Sequence, residues 1–214
     1  MGAIGGLDIA TITGLACLRD GLITTQTLRN AVKGNFLADT KKFGTLDPMV
    51  DGAVGRKFRD GLLTWLIDNE IVAAAIEAPI PTNNTRVTEE IDAAAEWAGQ
   101  ARRRVQHDAG SMSSSYRING MSFLALSICS ELNIPVWMVA QSTWRKEFLG
   151  VGIVRGGRDA AKEMALQQCK KLGIEVSSKD AAEAAGIVTW LDRTLNPNTA
   201  RRRAEDLFAN PGHG

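Results

Sequence analysis

Asp8 lies inside the apolar stretch IGGLDIATITG, and Glu77 closes a second one, IVAAAIE, that begins at Ile71. Asp180 and Glu183 open an alanine-rich segment one helical turn apart, so on a helix both project from the same face. An acid in or at the end of a buried strand is costly unless a cation compensates it. Several carboxylates brought together repel and raise one another's pKa values unless a divalent ion holds them. Their hard oxygens suit Mg2+ or Mn2+, not zinc. Two such ions are the standard apparatus for in-line attack of water on a phosphodiester: one aims hydroxide, the other stabilises charge on the leaving oxygen. Each acid also has a plainer reading. Asp-x-x-Glu is a capping box for helix amides, Glu77 could end a strand at the surface, and Asp8 could belong to a turn.

Other chemistries find little support. Three cysteines (Cys17, Cys129, Cys169) are too few and too scattered for a disulfide framework or a zinc knuckle. The sequence contains two histidines, one of them His213 near the end, which leaves little for a His-based metal site or a Ser-His-Asp triad. At 214 residues, 44% hydrophobic and 23% charged, the chain suits about one domain with a single sizeable core. No apolar run approaches the roughly 20 residues needed to span a bilayer. No basic segment precedes an apolar stretch at the N-terminus, so no secretory signal is expected and the chain reads as cytoplasmic. Net charge is +1, but its distribution is uneven. Between Gln141 and Lys171 stand Arg145, Lys146, Arg155, Arg158, Lys162, Lys170 and Lys171 against Glu147, Asp159 and Glu163. The triplets Arg102–Arg104 and Arg201–Arg203 read as solvated faces or helix ends.

The elements that must position these groups follow from periodicity. Ile4 to Ala10, Thr13 to Arg19 and Leu22 to Leu28 read as a three-stranded antiparallel meander, with Thr13-Gly14 and Asp20-Gly21 suiting turns. Asp47-Pro48 suits a helix start, followed by Val54, Phe58, Leu62, Trp65 and Leu66 at helical spacing. Ile71 to Ile76 is apolar on both faces, as an interior parallel strand would be. Met121, Leu124, Ala125, Ile128, Cys129 and Leu132 define a helix leading through Pro135 into a strand, Val136 to Val139. Further helices are predicted from Arg158 to Leu172 and from Asp180 to Leu195. Between Glu77 and the helix that contains Met121, the segment Asn83 to Arg117 reads as an insert: a helix from Thr88 to Val105, then a flexible polar loop from Gly110 to Arg117. Residues 196–214 form a polar tail.

The order of these elements and acids resembles the RuvC-type Holliday junction resolvases, in their phage-type branch, within the RNase H-like superfamily. The segments that carry the resemblance are GLDIATITGLACL, AAAIEAP, INGMSFLALSICSELNIPVWMV, STWRKEFLG, GGRDAAKEMALQQCKKLGI and KDAAEAAGIVTWL. Gly99 to Arg102 also resembles part of the family's junction-facing helix, but Asn119 to Leu132 fits better because a strand follows it directly. The resemblance implies an α/β fold over residues 1–195: a mixed five-stranded sheet, three antiparallel strands then two parallel, flanked by helices. It implies that Asp8, Glu77, Asp180 and Glu183 are the catalytic, metal-binding acids, although the family's fourth acid is commonly Asp. Arg145 or Lys146 takes the place of a basic residue ahead of Gly150, and Lys162 that of a second, which contacts phosphate or steadies transition-state charge. Arg158 joins the DNA-contacting set. Ile80 stands where some members carry a stacking aromatic, so that role is vacant or has moved to Tyr116 in the insert.

The activity implied is Mg2+-dependent endonucleolytic resolution of four-way DNA junctions, with two ions per site and Mn2+ as a substitute. Symmetric nicking calls for a C2 homodimer. The alternative is a branched-DNA-binding protein without nuclease activity. DIATITG also loosely resembles the phosphate loop of sugar-kinase-like ATPases, but that fold needs two such domains.

Overall fold

The computed structural model describes residues 2–10, 12–30, 48–79, 86–90, 103–107 and 112–197. Strands β1 (Ala3–Asp8), β2 (Ile12–Arg19) and β3 (Leu22–Arg29) form the meander. Helix α1 (Pro48–Asp68) leads into β4 (Ile71–Glu77). Strands β5 (Arg86–Glu90) and β6 (Arg103–His107) form a separate antiparallel pair. There follow α2 (Met112–Glu131), β7 (Val136–Val139), α3 (Gln141–Leu149), α4 (Gly157–Lys171) and α5 (Lys179–Leu195).

The main sheet has the order β3-β2-β1-β4-β7. β1–β2 and β2–β3 pair antiparallel, β1–β4 and β4–β7 parallel, as expected of a mixed five-stranded sheet. The β2–β3 turn sits on Asp20 and Gly21, both at positive φ, the twist that a two-residue hairpin loop demands.

Strand alternation sorts the sheet into two faces. Leu7, Leu15, Ala74 and Ile76 pack against α1 and α2, with Phe58, Leu62, Trp65 and Ile128 at the centre of that layer. Ala16, Ala75 and Val139 pack against α3, α4 and α5. Asp8 and Glu77 share the parity of this second face, each the last residue of its strand, on neighbouring parallel strands. The carboxyl end of the sheet is where a helix from the second layer can meet them.

Three expectations give way, and one helix is new. Thr13-Gly14 is not a turn but part of β2, and Gly14 stands opposite Asp8. The helix expected from Thr88 to Val105 is strand at both ends. Val87, Thr88 and Val105 favour extended backbone, and the acids and arginines taken for a helix-dipole match fall in cross-strand register, Glu89 opposite Arg104 and Glu90 opposite Arg103. The polar loop expected from Gly110 to Arg117 is helical from Met112 onward, because serines are well accommodated in a first helical turn. Helix α3 was not anticipated: nine residues with three buried side chains show too little periodicity to stand out. Asp47, Ile80, Gly99 to Arg102, Arg201–Arg203 and the tail beyond 197 lie outside the described residues. Among the described residues no helix is long and apolar enough to cross a membrane.

Candidate active site

Helix α5 carries the last two acids onto the first. Its segment Ala181–Val188 is wholly buried, and the run of small residues lets it lie close to the sheet. At Gly14 a β-carbon would press into the α5 backbone, 2.7 Å from the amide nitrogen of Ala181, so only glycine permits this approach. Gly14 faces Asp8 across the β1–β2 pair, and Asp180 therefore arrives beside Asp8. The helix is capped by Ser178, whose hydroxyl accepts from the Ala181 amide at 3.0 Å. The capping-box reading of Asp180 and Glu183 fails on this point: the cap is elsewhere, and both acids are free for other work.

Carboxylate oxygens of Asp8, Asp180 and Glu183 all lie within 4.8 Å of one another. Asp8 is 5% exposed, and its Oδ2 is buried with no hydrogen-bond partner. Burial drives its carboxyl well above the ordinary range, and Glu183, Glu77 and Asp180 push it the same way against the pull of Lys162. An orphaned buried oxygen among two further carboxylates is a hard donor set of the kind Mg2+ or Mn2+ takes, so the residues present fit the expected metal. Glu77 stands beside this trio with its two oxygens separately engaged. Gln141 Nε2 donates to Oε1 at 3.0 Å and Trp144 Nε1 donates to Oε2 at 2.7 Å. Burial raises the Glu77 pKa, offset in part by the Trp144 hydrogen bond.

Two cations face the four acids. Lys162, from α4, is hydrogen-bonded to Asp180 and lies 3.5 Å from Glu183. Burial disfavours its charge, but the bond to Asp180 and the fields of Asp8, Asp180 and Glu183 prevail and raise its pKa. Arg145, the second, is 6% exposed, donates from Nη2 to Glu183 at 2.9 Å and stacks over the Trp144 ring at 5.3 Å. Lys146 and Arg158 are exposed. Tyr116 is exposed on α2, where it lines a small cavity of about 150 Å3 between α1 and α2 on the far face of the sheet from α5.

The residues that sequence reasoning missed are Gln141 and Trp144. Trp144 reads as core, and it is fully buried, but a buried indole N–H needs an acceptor. In a segment adjacent to an acid-ended strand, that need was the available signal.

The Thermus thermophilus RuvC structure in complex with a Holliday junction substrate superposes on this chain with a TM-score of 0.52 at 12% identity, covering 93% of this chain and 96% of that one. A second structure of Thermus thermophilus RuvC gives a TM-score of 0.51 at 14% identity, covering 92% and 96%. The yeast mitochondrial Holliday junction resolvase Ydc2 gives 0.46 at 10% identity, covering 93% and 85%. No protein-family model and no curated protein matches the sequence. The fold is that of the RuvC-like proteins of the RNase H class, which the sequence resemblance implied.

Proposed function

We propose that this protein is a metal-dependent, structure-selective endodeoxyribonuclease that resolves four-way DNA junctions. The observation that carries the reading is the convergence of Asp8, Asp180 and Glu183 around a buried, unpartnered carboxylate oxygen. A fold that brings both ends of its chain together only to bury mutually repelling acids gains nothing in stability from doing so. The two RuvC structures it superposes on, one of them holding a Holliday junction, supply the substrate class.

Asp8, Asp180, Glu183 and Glu77 would hold magnesium, two ions per site, with manganese as a substitute. Bound there, the metal would lower the pKa of water and balance charge on the phosphodiester. The chain's own groups do the rest. Lys162 holds Asp180 and Glu183 before substrate arrives and supplies positive charge beside the scissile phosphate. Lys146 and Arg158 take flanking phosphates, which position the DNA without reading its sequence. A homodimer places two such sites for paired nicks on opposite strands.

The test is Asp8→Asn with a labelled four-way junction, a linear duplex control and Mg2+. The variant keeps junction affinity and loses cleavage, and wild-type protein cuts the junction and spares the duplex. Undiminished cutting by the variant removes Asp8 from the mechanism. Wild-type protein that binds the junction in Mn2+ without yielding discrete products is a branched-DNA binder instead.

A further inference from the structure

Helix α3 packs beside α5, which itself lies on the sheet, and its inward side chains end on the acids or against α5. Gln141 and Trp144 each give one hydrogen bond to a different oxygen of Glu77, and Arg145, the next residue, holds Glu183. Trp144 is fully buried and seated where Gly186 leaves room: a β-carbon there would stand 2.7 Å from the indole ring. Phe148, a turn further on, closes against the same glycine, 2.9 Å from that β-carbon position. The indole therefore cannot rotate away, and its N–H is fixed toward Glu77 Oε2. A glutamate at the end of a strand otherwise turns about three side-chain torsions. With one donor on each oxygen it is held in one orientation, with a lone pair on each oxygen still available.

We propose that Trp144, assisted by Gln141, is a positioning residue that presents Glu77 to the metal held by Asp8, Asp180 and Glu183. This rests on the metal-site reading given above. Outer partners of a ligating carboxylate fix its direction and basicity, and their loss typically costs about tenfold or more in metal affinity. Trp144 touches no reacting atom and acts only through Glu77. Nothing about the N–H itself is needed for packing, because the six-membered edge of the indole, not the nitrogen, meets Gly186.

That separation makes the inference testable. Replacing Trp144 by 3-benzothienylalanine keeps the bicyclic shape and substitutes sulfur for the N–H. Gln141→Leu, at the half-exposed start of α3, removes the second donor without touching the core. Mn2+ uptake by the DNA-free protein is followed by calorimetry and by the loss of free Mn2+ signal in electron paramagnetic resonance. The benzothienyl protein should bind Mn2+ about tenfold more weakly than wild type, Gln141→Leu more weakly by a smaller factor, and circular dichroism in chelator should show both variants folded at the assay temperature. Mn2+ affinity equal to wild type in both variants overturns the positioning role while leaving the metal site intact. If wild-type protein takes up no Mn2+, or Asp8→Asn takes up as much as wild type, the metal site itself fails and this role falls with it.

Discussion

At the scale of single residues, the centre is an electrostatic liability that a divalent ion would relieve. Asp8 has its carboxyl raised by burial and by its acidic neighbours, and Glu77 is raised by burial. The folded protein therefore holds protons that the unfolded chain has released once pH exceeds about 4. Where the native state binds more protons, stability falls as pH rises. Metal-free protein should lose urea resistance from about pH 4 upward through the raised pKa of Asp8. Asp8→Asn should flatten most of that slope, leaving the part due to Glu77. Saturating Mg2+ at 100 times its dissociation constant should restore about 2.7 kcal/mol. A urea midpoint insensitive to pH in chelator would contradict the burial of an unpartnered acid. The four acids stood out in the sequence by their order: Asp8 and Glu77 interrupt or end apolar runs, whereas Asp180 and Glu183 by themselves read as a capping box. Their partners did not. Whether Arg145 faces phosphate or Glu183 depends on the direction α3 takes across α5, and no local pattern encodes that.

At the scale of elements, the site depends on how closely α5 lies on the meander. Gly14 and Ser178 control that approach, one by having no side chain and the other by capping the helix. Gly14→Ala should cost roughly 1–3 kcal/mol through forced displacement of the α5 start, and Mg2+-dependent cleavage should fall further than stability alone accounts for. Ser178→Ala should cost about 1 kcal/mol. Chemical denaturation of both variants, beside a cleavage assay at a temperature where each remains folded, separates the two effects. A Gly14→Ala protein with native stability and activity would mean that α5 does not rest on β2. The strands of the main sheet and four of the five described helices were readable from apolar runs and the 3.6 period, which report burial directly, while the sheet's mixed arrangement came with the family resemblance. The segment 83–117 was misread because its charge order suited a helix dipole and a cross-strand ladder equally well. Only its β-branched residues distinguished the two.

At the scale of the whole molecule, junction recognition should be governed by phosphate contacts beside the acid cluster. Raising salt should weaken junction binding steeply, and Arg158→Glu should lower the slope of log affinity against log salt by about 0.9 for a lost phosphate contact. Fluorescence anisotropy across a salt series measures it, and an unchanged slope removes Arg158 from the interface. Sedimentation of DNA-free protein at the mass of two chains would supply the paired sites that symmetric nicking needs. β3, the edge of the sheet, is tied to the chain between α4 and α5 by Thr25, which donates to the Glu175 carbonyl, and by Thr27, which meets Ser177 and Ser178. That tether anchors the start of α5, and with it Asp180 and Glu183, to the rim of the sheet, so fraying of β3 would loosen two of the four acids at once.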